Sequence, residues 1–125
     1  MFKDPQPPDI SSSEENIVIL SGIVSVQATV GGSVTVLSGT YITITCSADG
    51  VPNPTVTWSR GDKPLRTTSP VNNTAMQFEM LSIEDATVAD TGEYLCTARS
   101  EVGADRESTK VTVIGWCLYT DMFSF

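Results

Sequence analysis

Histidine is absent from this chain of 125 residues. With it go the Ser-His-Asp triad, the Cys-His dyad and every histidine-ligated zinc site. Cysteine is scarce, with three residues and no C-x-x-C pair, so a cysteine zinc or redox site has no framework either. Basic residues are few. Seven Lys and Arg stand against 15 Asp and Glu, a net charge of −8, the reverse of the positive footprint that nucleic acid or an anionic membrane needs. The chain is therefore read as non-catalytic, with no metal, no cofactor, no small-molecule substrate and no nucleic-acid partner.

Charge is also missing locally, since none occurs from Asn16 to Ala48. Within that span the run from Ile17 to Val26 is apolar and β-branched. Three readings compete for it. An edge strand with its approach is preferred. A signal h-region fits poorly after acidic residues and a proline-rich start. A membrane span is interrupted too early by Gln27 and the Gly31-Gly32-Ser33 turn. Left unpaired, the segment would be an aggregation hazard. Ahead of it, the prolines and the Ser/Glu run read as extended, poorly paired chain.

The remainder shows short strands at turn-delimited intervals, the pattern of an antiparallel sandwich. One strand is expected over 33–37 and another over 41–47, with Ile42, Ile44 and Cys46 on one face. Gly50 to Pro54 reads as a loop. Alternation over 55–59 turns Val56 and Trp58 inward, and Gly61 with Pro64 marks a turn. The strand over 75–83 has a conflict: Phe78 and Met80 set one phase, Leu81 and Ile83 the other. Period two cannot satisfy both, which predicts a bulge or register change near Met80, or else an outward-facing Phe78. The last strands are expected over 92–99 and 106–114, joined through Val102-Gly103-Ala104-Asp105.

The motifs Gly50-x-Pro52-x-Pro54-x-Val56-x-Trp58, Leu81-x-Ile83-x-x-Ala86-x-x-x-Asp90-x-Gly92-x-Tyr94-x-Cys96 and Cys96-x-Ala98 with Gly103 resemble the immunoglobulin superfamily. Within it they resemble the I-set, with Ser100 where an asparagine is usual. The likeness is to Ig modules of matrix and adhesion proteins, including ADAMTS-like and hemicentin-type chains. It implies an all-β, immunoglobulin-like antiparallel sandwich with Greek-key connections. It also implies a disulfide between Cys46 and Cys96, pinning two sheets with Trp58 packed against it and Tyr94 tying down a corner. Such a bond closes a loop of about fifty residues, worth on the order of 4 kcal/mol in the chain-entropy model. Leu81, Asp90 and Gly92 complete the core signature, with Gly92 expected at a positive φ. The domain is placed at 23–114, with a tail or linker at 1–22 and an aromatic tail at 115–125.

Functional candidates lie on what this frame displays. Arg60-Gly61-Asp62 resembles the tripeptide through which matrix proteins engage integrins, where the aspartate completes a metal site and the guanidinium reaches acidic groups. An ordinary solvated turn is the stronger reading. Asn72-Asn73-Thr74 matches an N-glycosylation acceptor, whereas Asn53-Pro54-Thr55 is excluded by its proline. The outer face carrying Thr57, Ser59, Leu95, Thr97, Arg99, Ser108, Lys110 and Thr112 is mildly basic, and Arg99 is its best partner-binding candidate. Cys117 is left over, which suggests an intermolecular bond or a fragment end. A non-catalytic recognition module of an extracellular adhesion, matrix or receptor protein is expected, secreted or in an ectodomain, with another protein as partner, a second copy included. A structural spacer in a multi-Ig chain, extracellular or intracellular, is the alternative.

Overall fold

The structure, a computed structural model, describes residues 4–20, 25–68 and 76–115. Asn72, Cys117 and most of the aromatic tail lie outside the described residues. Ten strands run through the described part: β1 (Gln6–Ser11), β2 (Asn16–Ile19), β3 (Ser25–Thr29), β4 (Ser33–Leu37), β5 (Tyr41–Val51), β6 (Thr55–Arg60), β7 (Lys63–Pro64), β8 (Met76–Ile83), β9 (Gly92–Ser100) and β10 (Gly103–Ile114). They form two sheets. One has β5 at its centre, with β8 on one edge and β1 and β3 sharing the other. The second runs β2-β4-β10-β9-β6-β7.

The core lies between them. Alternation on β5 sends Ile42, Ile44, Cys46 and Ala48 inward, against Val56 and Trp58 of β6 and Tyr94, Cys96 and Ala98 of β9. Cys46 and Cys96 are bonded, with Cα atoms 6.5 Å apart, and so tie β5 in one sheet to β9 in the other. Trp58 is 1% exposed beside that bond, and its indole N–H donates to the Glu79 carbonyl at 3.1 Å. The buried polar end of the ring is thereby satisfied.

Three local expectations change. The ladder between β5 and β8 is unbroken from Ile42↔Ile83 to Asp49↔Met76, so there is no bulge near Met80. Leu81 and Ile83 are buried and Ser82 is exposed. Phe78 and Met80 share the phase of Ser82, which makes the outward-facing Phe78 the correct alternative. Second, β9 and β10 pair through Ser100↔Gly103, so Glu101 and Val102 form the turn. Ala104 and Asp105, expected in it, are ladder residues. A two-residue connection needs the fewest unpaired groups.

The third change is the largest. Residues 6–19, placed outside the domain with an edge strand preferred only from Ile17, carry two strands. β1 runs antiparallel to β5, turning Pro8 and Ile10 inward, and Ile10 joins the core at 7% exposure. Prolines signal poor pairing in a central strand but are tolerated on an edge. β2 runs parallel to β4, and β4 parallel to β10. Between β1 and β2 the chain crosses the Gly31-Gly32 turn. There the Ser13 amide donates to Val30 O at 2.8 Å and the Ser33 amide to Glu15 O at 3.0 Å. Both glycines are required. Their φ values are +107° and +63°, and a Cβ would fall 2.1 Å from Ser13 O on Gly31 and 1.9 Å from Glu15 O on Gly32. The apolar run from Ile17 is thus divided between β2 and β3, with 21–24 outside the described residues.

Candidate recognition surface

The Arg60-Gly61-Asp62 corner is built by strand geometry. β6 and β7 pair as Ser59↔Pro64 and Arg60↔Lys63, leaving Gly61 and Asp62 as an exposed hairpin tip. Arg60 points away from that tip. Its guanidinium lies 5.2 Å from the centroid of the Tyr94 ring, and one terminal nitrogen donates to the carbonyls of Ala89 at 2.8 Å and Thr91 at 2.7 Å. Those carbonyls lie within and just after the 3-10 turn Val88–Asp90, which Asp90 closes by accepting from the Thr87 amide at 2.8 Å. The Tyr94 hydroxyl donates to the Asp90 carbonyl. Burial pushes the Tyr94 phenol above its ordinary value, with Asp90 adding to the rise and Arg60 opposing it.

Gly92 belongs to the same assembly, for a different reason from the one expected. Its φ is not positive. A Cβ there would stand 3.2 Å from Nε and 3.3 Å from a terminal nitrogen of Arg60. The glycine leaves room for the arginine to reach the tyrosine. Asp90, Gly92 and Tyr94 therefore act together, and Arg60 is the fourth member of the corner.

The outer face of β6, β9 and β10 presents rows fixed by register. Thr55 lies opposite Arg99, and Arg99 opposite Ala104. Thr57 lies opposite Thr97, and Thr97 opposite Arg106; Ser59, Leu95 and Ser108 form the next row. Arg99, Arg106 and Lys110 are exposed on this face. A shallow groove of about 350 Å³ is lined by Thr55, Thr57, Thr97 and Arg99. The structure thus brings together the outer-face residues expected from alternation and separates Arg60 from them. Arg106 and Thr55 were missed. Counting back by two from Ser108 and Thr57 finds both, which is the same alternation carried one step further.

The immunoglobulin I-set family model matches residues 25–113. The chain belongs to the immunoglobulin I-set family. Human hemicentin-1 is 33% identical over 108 residues, covering 86% of this chain and 2% of that protein. Chicken cell adhesion molecule DSCAML1 is 30% identical over 83 residues, covering 62% of this chain and 4% of that protein. The chain therefore spans a few hundredths of the length of these relatives. Among solved structures, titin domain M7 is similar at a TM-score of 0.60 and 21% identity, covering 90% of this chain and 98% of that one. The Dpr2 Ig1-Ig2 complex with DIP-Theta Ig1-Ig3 is similar at 0.60 and 18% identity, covering 86% of this chain and 32% of that one. Likeness at these identities speaks for the fold. In this I-set chain β1 and β2 precede the segment that the family model matches.

Proposed function

We propose that this domain is a non-catalytic protein-recognition module of an extracellular adhesion, matrix or receptor protein, and that it engages its partner through the outer face of β6, β9 and β10. The observation that carries the reading is the placement of Arg99 and Arg106 in adjacent rows of one sheet face of a chain whose net charge is −8, with Lys110 farther along that face opposite Glu93. A basic strip on an acidic protein favours an acidic protein surface and speeds encounter with it. Arginines beside a threonine-lined groove supply the anchors that such interfaces use. The hemicentin and DSCAML1 relatives support the adhesion context, and the sheet-to-sheet disulfide supports an oxidising compartment. Asn72, as a glycan acceptor, and Cys117, as an intermolecular cysteine, remain parts of this proposal.

The Arg60-Gly61-Asp62 turn contributes less in this reading. An integrin contact needs a free guanidinium, and that of Arg60 already serves two carbonyls and the Tyr94 ring. The spacer reading draws on the small share of each relative that the chain covers, as expected of one module in a long array.

Cell attachment to surfaces coated with the intact chain tests the proposal. Attachment that survives Asp62→Glu and is lost on combining Arg99→Glu with Arg106→Glu supports the outer face. Attachment lost with Asp62→Glu moves the site to the turn. No attachment by the parent leaves the spacer reading.

A further inference from the structure

The six-stranded sheet ends at β2, and among the described residues no strand pairs with its outer side. β2 is half of a repeat. Asn16-Ile17-Val18-Ile19-Leu20-Ser21-Gly22 reads against Ser33-Val34-Thr35-Val36-Leu37-Ser38-Gly39, β-branched against β-branched and ending in the same Leu-Ser-Gly. The fold pairs the two copies in that same register, Asn16↔Ser33, Ile17↔Val34, Val18↔Thr35 and Ile19↔Val36. The Ser33 hydroxyl donates to the Asn16 side-chain oxygen at 2.8 Å where the strands begin.

The second copy, β4, has both edges filled, by β2 and by β10. The first copy has one. A strand of this sequence therefore accepts neighbours on both sides, and β2 keeps one side open. The devices that blunt an open edge are missing from it. Residues 16–20 contain no lysine, no proline and no charge, and the ladder to β4 has no bulge. Val18 is 61% exposed and Leu20 39%. These are two of the five large hydrophobic residues exposed among the described residues, and they stand on the same short edge.

The chemistry of the edge selects its occupant. It needs an extended segment that is uncharged and aliphatic on both faces, to continue Ile17 and Ile19 on one side of the sheet and Val18 on the other. β2 itself meets all three demands, and its repeat already pairs with it inside the molecule, there in parallel, whereas two β2 edges related by a two-fold axis meet antiparallel. We propose that β2 pairs with the β2 of a second copy of this chain, joining two six-stranded sheets edge to edge in a reversible homodimer. The contact is isologous, the same patch on both protomers. It is short, so it is weak and depends on concentration, in the range of roughly micromolar to millimolar dissociation constants. This goes beyond the recognition reading and lies away from Arg99, so the two stand or fall separately.

Sedimentation velocity on the intact chain with reductant present, over a dilution series, tests it. The mean mass rises from monomer toward dimer with concentration, and reductant removes any dimer linked through Cys117. Val18→Lys weakens the dimer at least about tenfold, and Leu20→Lys, a second exposed position, does so independently. Val102→Lys, also exposed but at the β9–β10 turn, leaves it unchanged, as does combining Arg99→Glu with Arg106→Glu. Amide exchange within 16–20 slows as the parent is concentrated and stays constant in Val18→Lys, while retained protection of the β5 and β9 amides shows that the variant is folded. A parent that stays monomeric throughout, including because the residues after Gly115 cover the edge, overturns the proposal. So does a dimer that both lysine variants leave intact.

Discussion

The six-stranded sheet has two unlike ends. At one, β6 and β7 carry a tripeptide that reads as a recognition motif, yet its arginine is folded back onto Tyr94 and the carbonyls of Ala89 and Thr91. At the other, β2 carries no motif and presents a bare aliphatic edge with Val18 exposed. A short motif states which groups exist. The hydrogen bonds and ring contacts of the folded chain decide which of them a partner can reach. Arg60 is unavailable because Gly92 opens the path to Tyr94. β2 is available because, among the described residues, β4 pairs with one of its sides and no strand with the other.

The sharpest way to break this contrast is at the turn beneath β2. Gly31→Ala and Gly32→Ala each place a Cβ against the backbone of Ser13 or Glu15 at a positive φ. Each is expected to cost about 3 kcal/mol from combined backbone strain and overpacking, read as a drop in melting temperature. If residues 12–15 were loosely held, they would move aside and the cost would be far smaller. At the opposite end, Arg60→Ala removes two charge-assisted hydrogen bonds and a cation–π contact. About 1–2 kcal/mol is expected after discounting for solvent access, measured by denaturant titration. Asp62→Ala, two residues away at the hairpin tip, is expected within about 0.5 kcal/mol of the parent. Equal losses from the two variants would show that Arg60 is not part of the corner.

Tyr94→Phe sharpens the same point by a smaller amount. Loss of the hydroxyl bond to the Asp90 carbonyl is expected to cost about 1 kcal/mol at neutral pH. The phenol is held above its ordinary value of 10.0 by burial, so the folded state favours the protonated form. That part of the stability is fully present below pH 10.0 and falls as pH rises through the folded value. The phenylalanine variant lacks this alkaline loss, and parallel melts on either side of that pH measure the difference.

Much of this molecule is legible in its letters, and the failures share a cause. Cys46, Trp58, Tyr94 and Cys96 occupy positions where one residue type fits, so the family pattern places them. Alternation places Val56, Thr57, Thr97 and Arg99 correctly because strand period leaves two choices. The β8 conflict resolves in favour of Leu81 and Ile83 because β5 presents Ile42 and Ile44 in that phase. What alternation cannot carry is what lies across the sheet from a residue. Gly92 reads as a turn glycine until Arg60 is seen 3.2 Å from its missing Cβ. The start of the chain reads as tail because prolines and a Ser/Glu run are local signals. The Gly31-Gly32 pair that receives it lies farther along the sequence. The repeat of Asn16–Gly22 in Ser33–Gly39 was visible without coordinates, and a scan for self-similarity finds it.

Residues 6–19 pack as an integral part of the domain, docked by Ile10 and the Gly31-Gly32 turn. Amide hydrogen exchange on the intact chain, dilute enough to be monomeric, tests it most directly. The Ile10 amide donates to the Asp105 carboxylate at 2.8 Å and the Ser13 amide to the Val30 carbonyl at 2.8 Å. Both are predicted to exchange slowly, on the scale of the Val30 amide, which bonds to Thr45 within the sheet. Exchange of Ile10 and Ser13 at unfolded-chain rates, with Val30 still protected, would contradict it.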